Sequence, residues 1–369
     1  MLHSSLLHET VQLAIDDQVL ILNSAADPFV LEAAQCLSVG ELILAEDNLA
    51  SLMQTYKSIG IPVGADLSCP SPIDRSSPLE REHVKTQLRV RHVPFHQYTL
   101  HEASATIDVA IMNMVYQSSN AWMIYGLQVA AYALKPGGCL YVVGAKDRGV
   151  LSIAKRMQSL FGNLETLEIS KGQRVVCSHM ENEETRDSPT NQFPALLPTS
   201  FAGGKLDEGT RLLVEALEVH ATDIALDIGC GAGYIGMHIA HLASKGHVTM
   251  VDASLAAVDA ARNMVEQSGM TNVQVLASDG TQAVKAQRFD LVVTNPPFHL
   301  GGKHTTEIAE RFIREAAQVL HPRGRFYLVA NRFLKYEPTL RACFKSVEEV
   351  GGNTRYKVLR AINPTINRK

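Results

Sequence analysis

Along the second half of the chain, short apolar runs alternate with segments whose apolar residues recur every three or four positions. The runs IALDIG, HVTMVDAS, VQVLASDG, FDLVVTN and RFYLVAN are rich in Val, Ile and Leu. Between them, GYIGMHIAHLAS, LAAVDAARNMVEQSG and TTEIAERFIREAAQVLHPRG carry the helical period. Strands that are apolar almost throughout predict a parallel sheet covered by helices on both faces. The stretch CFKSVEEVGGNTRYKVLRAI breaks the rhythm: a strand, a Gly-Gly-Asn turn and another strand predict an antiparallel hairpin at one sheet edge.

The first half repeats this pattern. IDVAIMNMVYQ (107–117) parallels FDLVVTNPPFH (289–299), and LKPGGCLYVVGAKDRG (134–149) parallels LHPRGRFYLVANRFLK (320–335). Upstream, VLILNSAADPFVLEAA resembles IALDIGCGAGYIGMHIA with its glycines gone. Three matches in the same order predict a duplicated α/β chain of two tandem Rossmann-like domains, at 1–181 and 199–369. The polar, then Pro- and Gly-containing stretch 182–198 reads as the linker between them.

Composition narrows the class. A chain of 369 residues accommodates two cores, and 46% hydrophobic with 20% charged residues is the balance of a globular protein. A net charge of -4 excludes binding to nucleic acid through bulk charge, while leaving room for a local basic patch. The six cysteines show no CxxC or Cys/His spacing, so no metal site and no disulfide framework is expected, and a reducing cytoplasm fits. The opening MLHSSLLHETVQLAIDDQ brings acidic residues before any long apolar stretch, so no secretory leader is expected; no apolar run approaches membrane-spanning length.

The chemistry gathers at four successive strand ends. In LDIGCGAGYIG a strand ends at Asp227, and Gly229, Gly231 and Gly233 precede a helix. Such a loop lets a ligand approach the backbone and the helix N-terminus, a device that dinucleotide enzymes also use. Asp252 ends the second strand, where it can accept from ribose hydroxyls. Asp279, in SDG after the third strand, is within reach of an adenine amine. After the fourth strand comes TNPPF, whose two prolines must stop the ladder.

D-x-G-x-G-x-G, the acidic end of strand two, S-D-G and N-P-P-F together resemble the class I S-adenosylmethionine-dependent methyltransferases. The N-P-P-[FY] form belongs to those that methylate planar amino or amide nitrogens. The duplication and the stretch NPPFHLGG…LVANRFLKYEP…YKVLRAI resemble, more narrowly, the ribosomal RNA guanine-N2 methyltransferases of the RsmC and RlmG type. That resemblance implies S-adenosylmethionine as cofactor, held by Asp227, Gly229, Gly231, Gly233, Asp252, Ala253, Ser278, Asp279, Gly280 and Asn295. It implies a monomer acting on ribosomal RNA, with the small subunit favoured, and a first domain that has lost its cofactor motif. Phe201 and Asp207 fall where the family closes a segment over methionine, although Asp207 serves equally well as a helix cap.

An exocyclic purine amine is a poor nucleophile because its lone pair is delocalised into the ring. The Asn295 side-chain oxygen and the Pro296 carbonyl can each accept one N–H and aim the lone pair at the methyl group. Phe298 is placed to stack on an extruded base, the alternative being a core aromatic, and Pro297 and His299 adjoin it. Cys230 reads as a small filler without a catalytic partner. In the first half, Asn113 to Tyr116 stand where NPPF would be, so neither cofactor nor catalysis is expected there. VKTQLRVRHVPFH concentrates Lys85, Arg89 and Arg91 with Phe95, which suits an RNA contact or a charge-protected edge strand. Methylation of another amine or amide, such as protein glutamine, a non-catalytic RNA-binding assembly factor, and an NAD-dependent oxidoreductase stay open as alternatives.

Overall fold

The computed structural model describes residues 2–61, 80–81, 84–85, 88–181, 207–297, 299–300, 303–304 and 306–365. The chain divides into two compact units, Met1–Pro198 and Thr199–Lys369. The expected linker, 182–198, lies outside the described residues, as do Phe201 and Phe298.

In the first unit the elements run α1 (Leu2–Thr10), β1 (Gln18–Leu22), α2 (Phe29–Cys36), β2 (Glu41–Glu46) and α3 (Leu49–Ile59). The two-residue strands β3 (Glu80–Arg81) and β4 (Val84–Lys85) precede β5 (Arg89–Pro94), α4 (Tyr98–His101), β6 (Ile107–Asn113) and α5 (Asn120–Ala133). The unit ends with β7 (Leu134–Ala145), α6 (Val150–Phe161), β8 (Glu165–Ser170) and β9 (Gln173–His179). The second unit begins with α7 (Glu208–Ala216), β10 (Ile224–Ile228), α8 (Tyr234–Leu242), β11 (His247–Asp252), α9 (Leu255–Ser268) and β12 (Val273–Ala277). It continues through β13 (Phe289–Thr294), the short pair β14 (His299–Leu300) and β15 (Lys303–His304), α10 (Glu307–Val319) and β16 (Leu320–Asn331). It closes with α11 (Glu337–Cys343), β17 (Phe344–Gly352) and β18 (Tyr356–Pro364).

Each unit has one seven-stranded sheet, ordered β5-β2-β1-β6-β7-β9-β8 in the first and β12-β11-β10-β13-β16-β18-β17 in the second. The two orders are the same. In both, the first five strands pair in parallel and the last two are antiparallel, so the expected hairpin is present twice. Buried Val, Leu, Ile and Phe from the strands and covering helices form the cores, as near-continuous apolar strands require.

Equivalent side chains hold equivalent joints. Asp108 accepts from the Gln18 N–H at 2.9 Å and Asp290 from the Ile224 N–H at 3.0 Å, each tying the fourth strand to the start of the first. Helix α10 stops at Val319, short of the expected HPRG, because that stretch already forms the start of β16, where a Cβ at Gly324 would lie 2.6 Å from Leu320.

The proposed RNA-contact segment needs correction. Phe95 is fully buried and stacks on Trp122 at a centroid distance of 5.2 Å, so it is a core aromatic. Arg91 is bound on both sides, to Glu41 at 2.9 Å and to Glu102 through two bonds of 2.6 Å. Its guanidinium neutralises carboxylates within the unit and does not present a phosphate-binding face. Arg89 is exposed at the sheet edge, and Lys85 is described only as part of β4.

Candidate cofactor and substrate site

The site of the second unit is built at the carboxyl ends of β10, β11, β12 and β13. After β10 the chain turns through Gly229, Gly231 and Gly233, all at positive φ (71°, 55° and 94°), which L side chains adopt only with strain. Gly233 then caps α8. A Cβ at Gly231 would meet nothing within 4 Å, so the loop borders open space.

Two carboxylates frame this loop. Asp252, at the end of β11, accepts from the Gly231 N–H at 2.9 Å with one oxygen and from the Ser254 N–H at 2.9 Å with the other. A carboxylate at this strand end is an acceptor of the kind a ribose diol requires. Ala253 lies between the two contacts. Asp227 is fully buried; its Oδ2 accepts from the Gly236 N–H at 3.0 Å, and its Oδ1 has no hydrogen-bond partner. Burial pushes its carboxyl up to about 7 against the lowering pull of the Gly236 bond, and the nearby Asp252 charge adds to the rise. An orphaned buried carboxylate oxygen beside a glycine loop is suited to a polar, cationic ligand. Cys230 is buried and its thiol pKa is raised, chiefly by burial and then by Asp252 and Asp227, so it is no thiolate.

At the third strand end, Ser278 is buried and its hydroxyl ties Gly280 O to Ala283 N. Gly280 has φ 58°, which L side chains adopt only with strain, and a Cβ there would displace the Glu315 carboxylate, whose oxygen lies 2.1 Å away. Asp279 is joined by a residue the sequence reading did not single out: Arg311 of α10 binds both its oxygens, at 2.8 and 2.5 Å. An adenine amine would share that carboxylate with Arg311. Helical periodicity indicated α10 but could not show which of its residues reaches a strand end.

At the fourth, Thr294 bonds Ile228 O at 2.7 Å and fixes β13 against β10. The next residue, Asn295, donates from Nδ2 to Asp207 Oδ2 and to Thr210 Oγ1, each at 2.9 Å. Asp207 is therefore both the N-cap of α7 and a partner of Asn295. Pro296 is buried, Pro297 half-buried, and His299 is described only as part of β14. Asp227, Gly229, Gly231, Gly233, Asp252, Ser278, Asp279, Gly280 and Asn295 thus come to one edge of the sheet; Arg311, Asp207 and Thr210 join them.

At the same edge of the first unit the geometry is filled. Asn23 takes φ 47° where Gly229 has 71°, and its N–H reaches Ala45 O at 2.7 Å as Gly229 reaches Val251 O at 2.8 Å. Glu46 stands where Asp252 does, accepting from the Ala25 and Asn48 N–H groups at 2.8 Å each. Yet Gln117 inserts its amide, donating to Leu22 O, Asn23 O and Ser24 Oγ at 3.0–3.2 Å. Asn113, the counterpart of Asn295, donates its amide N–H to Asp27, and its Oδ1 accepts from the Val115 N–H. Gln117, Asn23, Ser24, Asp27 and Asn113 are all buried.

Among the described residues one further cluster arises that spacing hid: Cys139, Cys177 and His179, whose ligand atoms lie within 4.8 Å of one another across β7 and β9. The Cys139 thiol pKa is lowered to about 6, first by a hydrogen bond from Cys177, against burial, and further by His179.

Three comparisons bear on the site. Residues 195–360 match the model of the methyltransferase small domain. Ribosomal RNA small subunit methyltransferase C from Hahella chejuensis is 34% identical over 250 residues, covering 64% of this chain and 72% of that protein. The same-named protein from Shewanella pealeana is 32% identical, covering 71% and 79%. Among solved structures, the T. thermophilus 16S rRNA N2 methyltransferase in complex with AdoMet and guanosine is similar at TM-score 0.76 and 26% identity, covering 98% of this chain and 92% of that one.

Proposed function

The chain belongs to the ribosomal RNA small subunit methyltransferase C family, and from that premise we propose that its second unit transfers a methyl group from S-adenosylmethionine to the exocyclic N2 of a guanine in 16S ribosomal RNA. The residues fit this cofactor. The Gly229–Gly233 turn leaves open space beside Gly231, the Asp252 carboxylate stands against that turn at the end of β11, and the orphaned Asp227 Oδ1 lies beside the loop. Asp227, Gly229, Gly231, Gly233, Asp252, Ala253, Ser278, Asp279 and Gly280 would hold it; when bound, it supplies an electrophilic methyl sulfonium.

The chain's own work is on the amine. Guanine N2 shares its lone pair with the ring, and acceptance of its two N–H bonds by Asn295 Oδ1 and the Pro296 carbonyl favours a pyramidal nitrogen with the lone pair directed outward. The single observation that carries this reading is Asn295 itself. Its amide nitrogen is engaged by Asp207 and Thr210, so its oxygen is the end presented elsewhere. Phe298, outside the described residues, is assigned the stacking face, and Pro297 and His299 the neighbouring contacts with RNA.

We assign the first unit an RNA-positioning role without cofactor or chemistry, on the strength of its side-chain-filled strand edge and of Arg89, and assign action to the cytoplasm as a monomer. No helix among the described residues is long and apolar enough to cross a membrane. Incubating small-subunit RNA from a strain lacking the enzyme with the protein and labelled S-adenosylmethionine, then digesting it for nucleoside mass spectrometry, tests the proposal. N2-methylguanosine is expected; label on another base, or on protein alone, refutes it.

A further inference from the structure

We infer that Asp207 and Thr210 are positioning residues for Asn295, forming a polar ring that fixes and polarises the amide presented to the substrate amine. This rests on the reading that Asn295 holds that amine.

The proton roles in the ring are determined by chemistry. Asp207 Oδ2 lies 2.6 Å from Thr210 Oγ1 and 2.9 Å from Asn295 Nδ2, and Thr210 Oγ1 lies 2.9 Å from the same Nδ2. A carboxylate only accepts, so the Thr210 hydroxyl must donate its one proton to Asp207. Its oxygen is then the acceptor for Asn295. The amide group facing two acceptors has to be the NH2, so Oδ1 points away from the ring. A bare asparagine after a strand could flip its amide and present two donors to the substrate, which would repel an N–H-bearing amine. The ring removes that choice.

Its second effect is electrostatic. The two acceptors lie 2.6 Å apart and each 2.9 Å from Nδ2, so they share an Asn295 N–H, which faces both an anion and a hydroxyl that itself donates to that anion. Such aligned bonds reinforce one another and draw electron density towards Oδ1, making it a stronger acceptor. The substrate nitrogen gains positive charge as it takes the methyl group, and a carboxylate one amide away lowers the cost of that charge. Asp207 is anchored for the task by the N-terminus of α7, where it accepts from Gly209 N–H at 2.7 Å and Thr210 N–H at 3.3 Å. The first unit lacks this arrangement, since Asn113 Oδ1 is consumed by Val115.

The test uses the full chain and small-subunit RNA. Thr210→Val keeps the side-chain shape and the Asp207 cap but opens the ring; kcat should fall about 10–100-fold, the scale of one lost hydrogen bond in a charged network. S-adenosylmethionine affinity should stay within about twofold, and Thr210→Ser should restore most of the rate. Asp207→Asn keeps a favoured cap residue and removes the charge, so it should also lower kcat; it decides the matter should Thr210→Val fail to fold. Full turnover in both Thr210→Val and Asp207→Asn, or parallel loss of turnover and cofactor affinity in both, overturns the inference. If Asn295→Ala itself retains full activity, the reading beneath the inference fails instead.

Discussion

The two units share strand order, the aspartate that ties the fourth strand to the first, and an acid at the end of the second strand that accepts one N–H from the first loop and one from the residue two positions after itself. They differ at that loop and at the fourth strand end. The turn through Gly229, Gly231 and Gly233 leaves open space beside Gly231 where the first unit has Asn23, Ala25 and Asp27, and Asn295 turns an oxygen away from its partners where Asn113 spends its own on Val115. On the reading proposed above, the same framework serves stability in one copy and a site in the other. An acidic residue at a strand end is a structural joint in both; open space beside Gly231 and an amide oxygen turned away from its own partners distinguish the copy to which we assign the chemistry.

The largest effect should come from the paired asparagines. Asn295→Ala should lower kcat about 10²–10³-fold with little change in cofactor affinity, the scale for losing one preorganised contact. Asn113→Ala should leave the rate within about twofold but lower the melting temperature, because Asp27 Oδ2 and the Val115 N–H lose their Asn113 partner. Steady-state kinetics and thermal unfolding of the two variants decide this; equal kinetic losses would erase the contrast.

A smaller effect concerns pH, where the units should behave alike. Burial raises both Asp227 and Glu46 to about 7 from ordinary values of 3.8 and 4.5. Between these limits the native state holds protons that the unfolded chain has lost, so stability falls as pH rises from about 4 through 7. Asp227→Asn and Glu46→Gln should each flatten that slope in denaturant titrations of the cofactor-free protein. A slope unchanged by both would show that neither acid is the source.

The smallest expected effect is confined to the first unit. Cys139, with its thiol pKa lowered to about 6, occupies the place that Arg325 fills in the second. It should react with iodoacetamide faster than the exposed Cys36 at pH 7, and the advantage should shrink as pH falls through 6. Peptide mass spectrometry would read the ratio, and equal labelling would contradict the assignment.

Much of this was legible in the sequence because it is local. Apolar period gave strands and helices, and glycines and prolines marked where the backbone turns or must stop. The duplication was visible in the order of matching runs. What stayed hidden depends on contacts between distant segments. No spacing rule links Asp207 to Asn295, Arg311 to Asp279, or Cys139 to His179. Phe95 was misread for the same reason: its basic neighbours suggest a surface, while Trp122 and Tyr125, far along the chain, enclose it.

Counting cofactor sites by calorimetry tests most directly the claim that one fold occurs twice and only the second copy is equipped for chemistry. Titration of S-adenosylmethionine into the full chain should give one site, lost in Asp252→Ala and retained in a folded Glu46→Ala. Two sites, or one site that disappears with Glu46→Ala and survives Asp252→Ala, would contradict the claim.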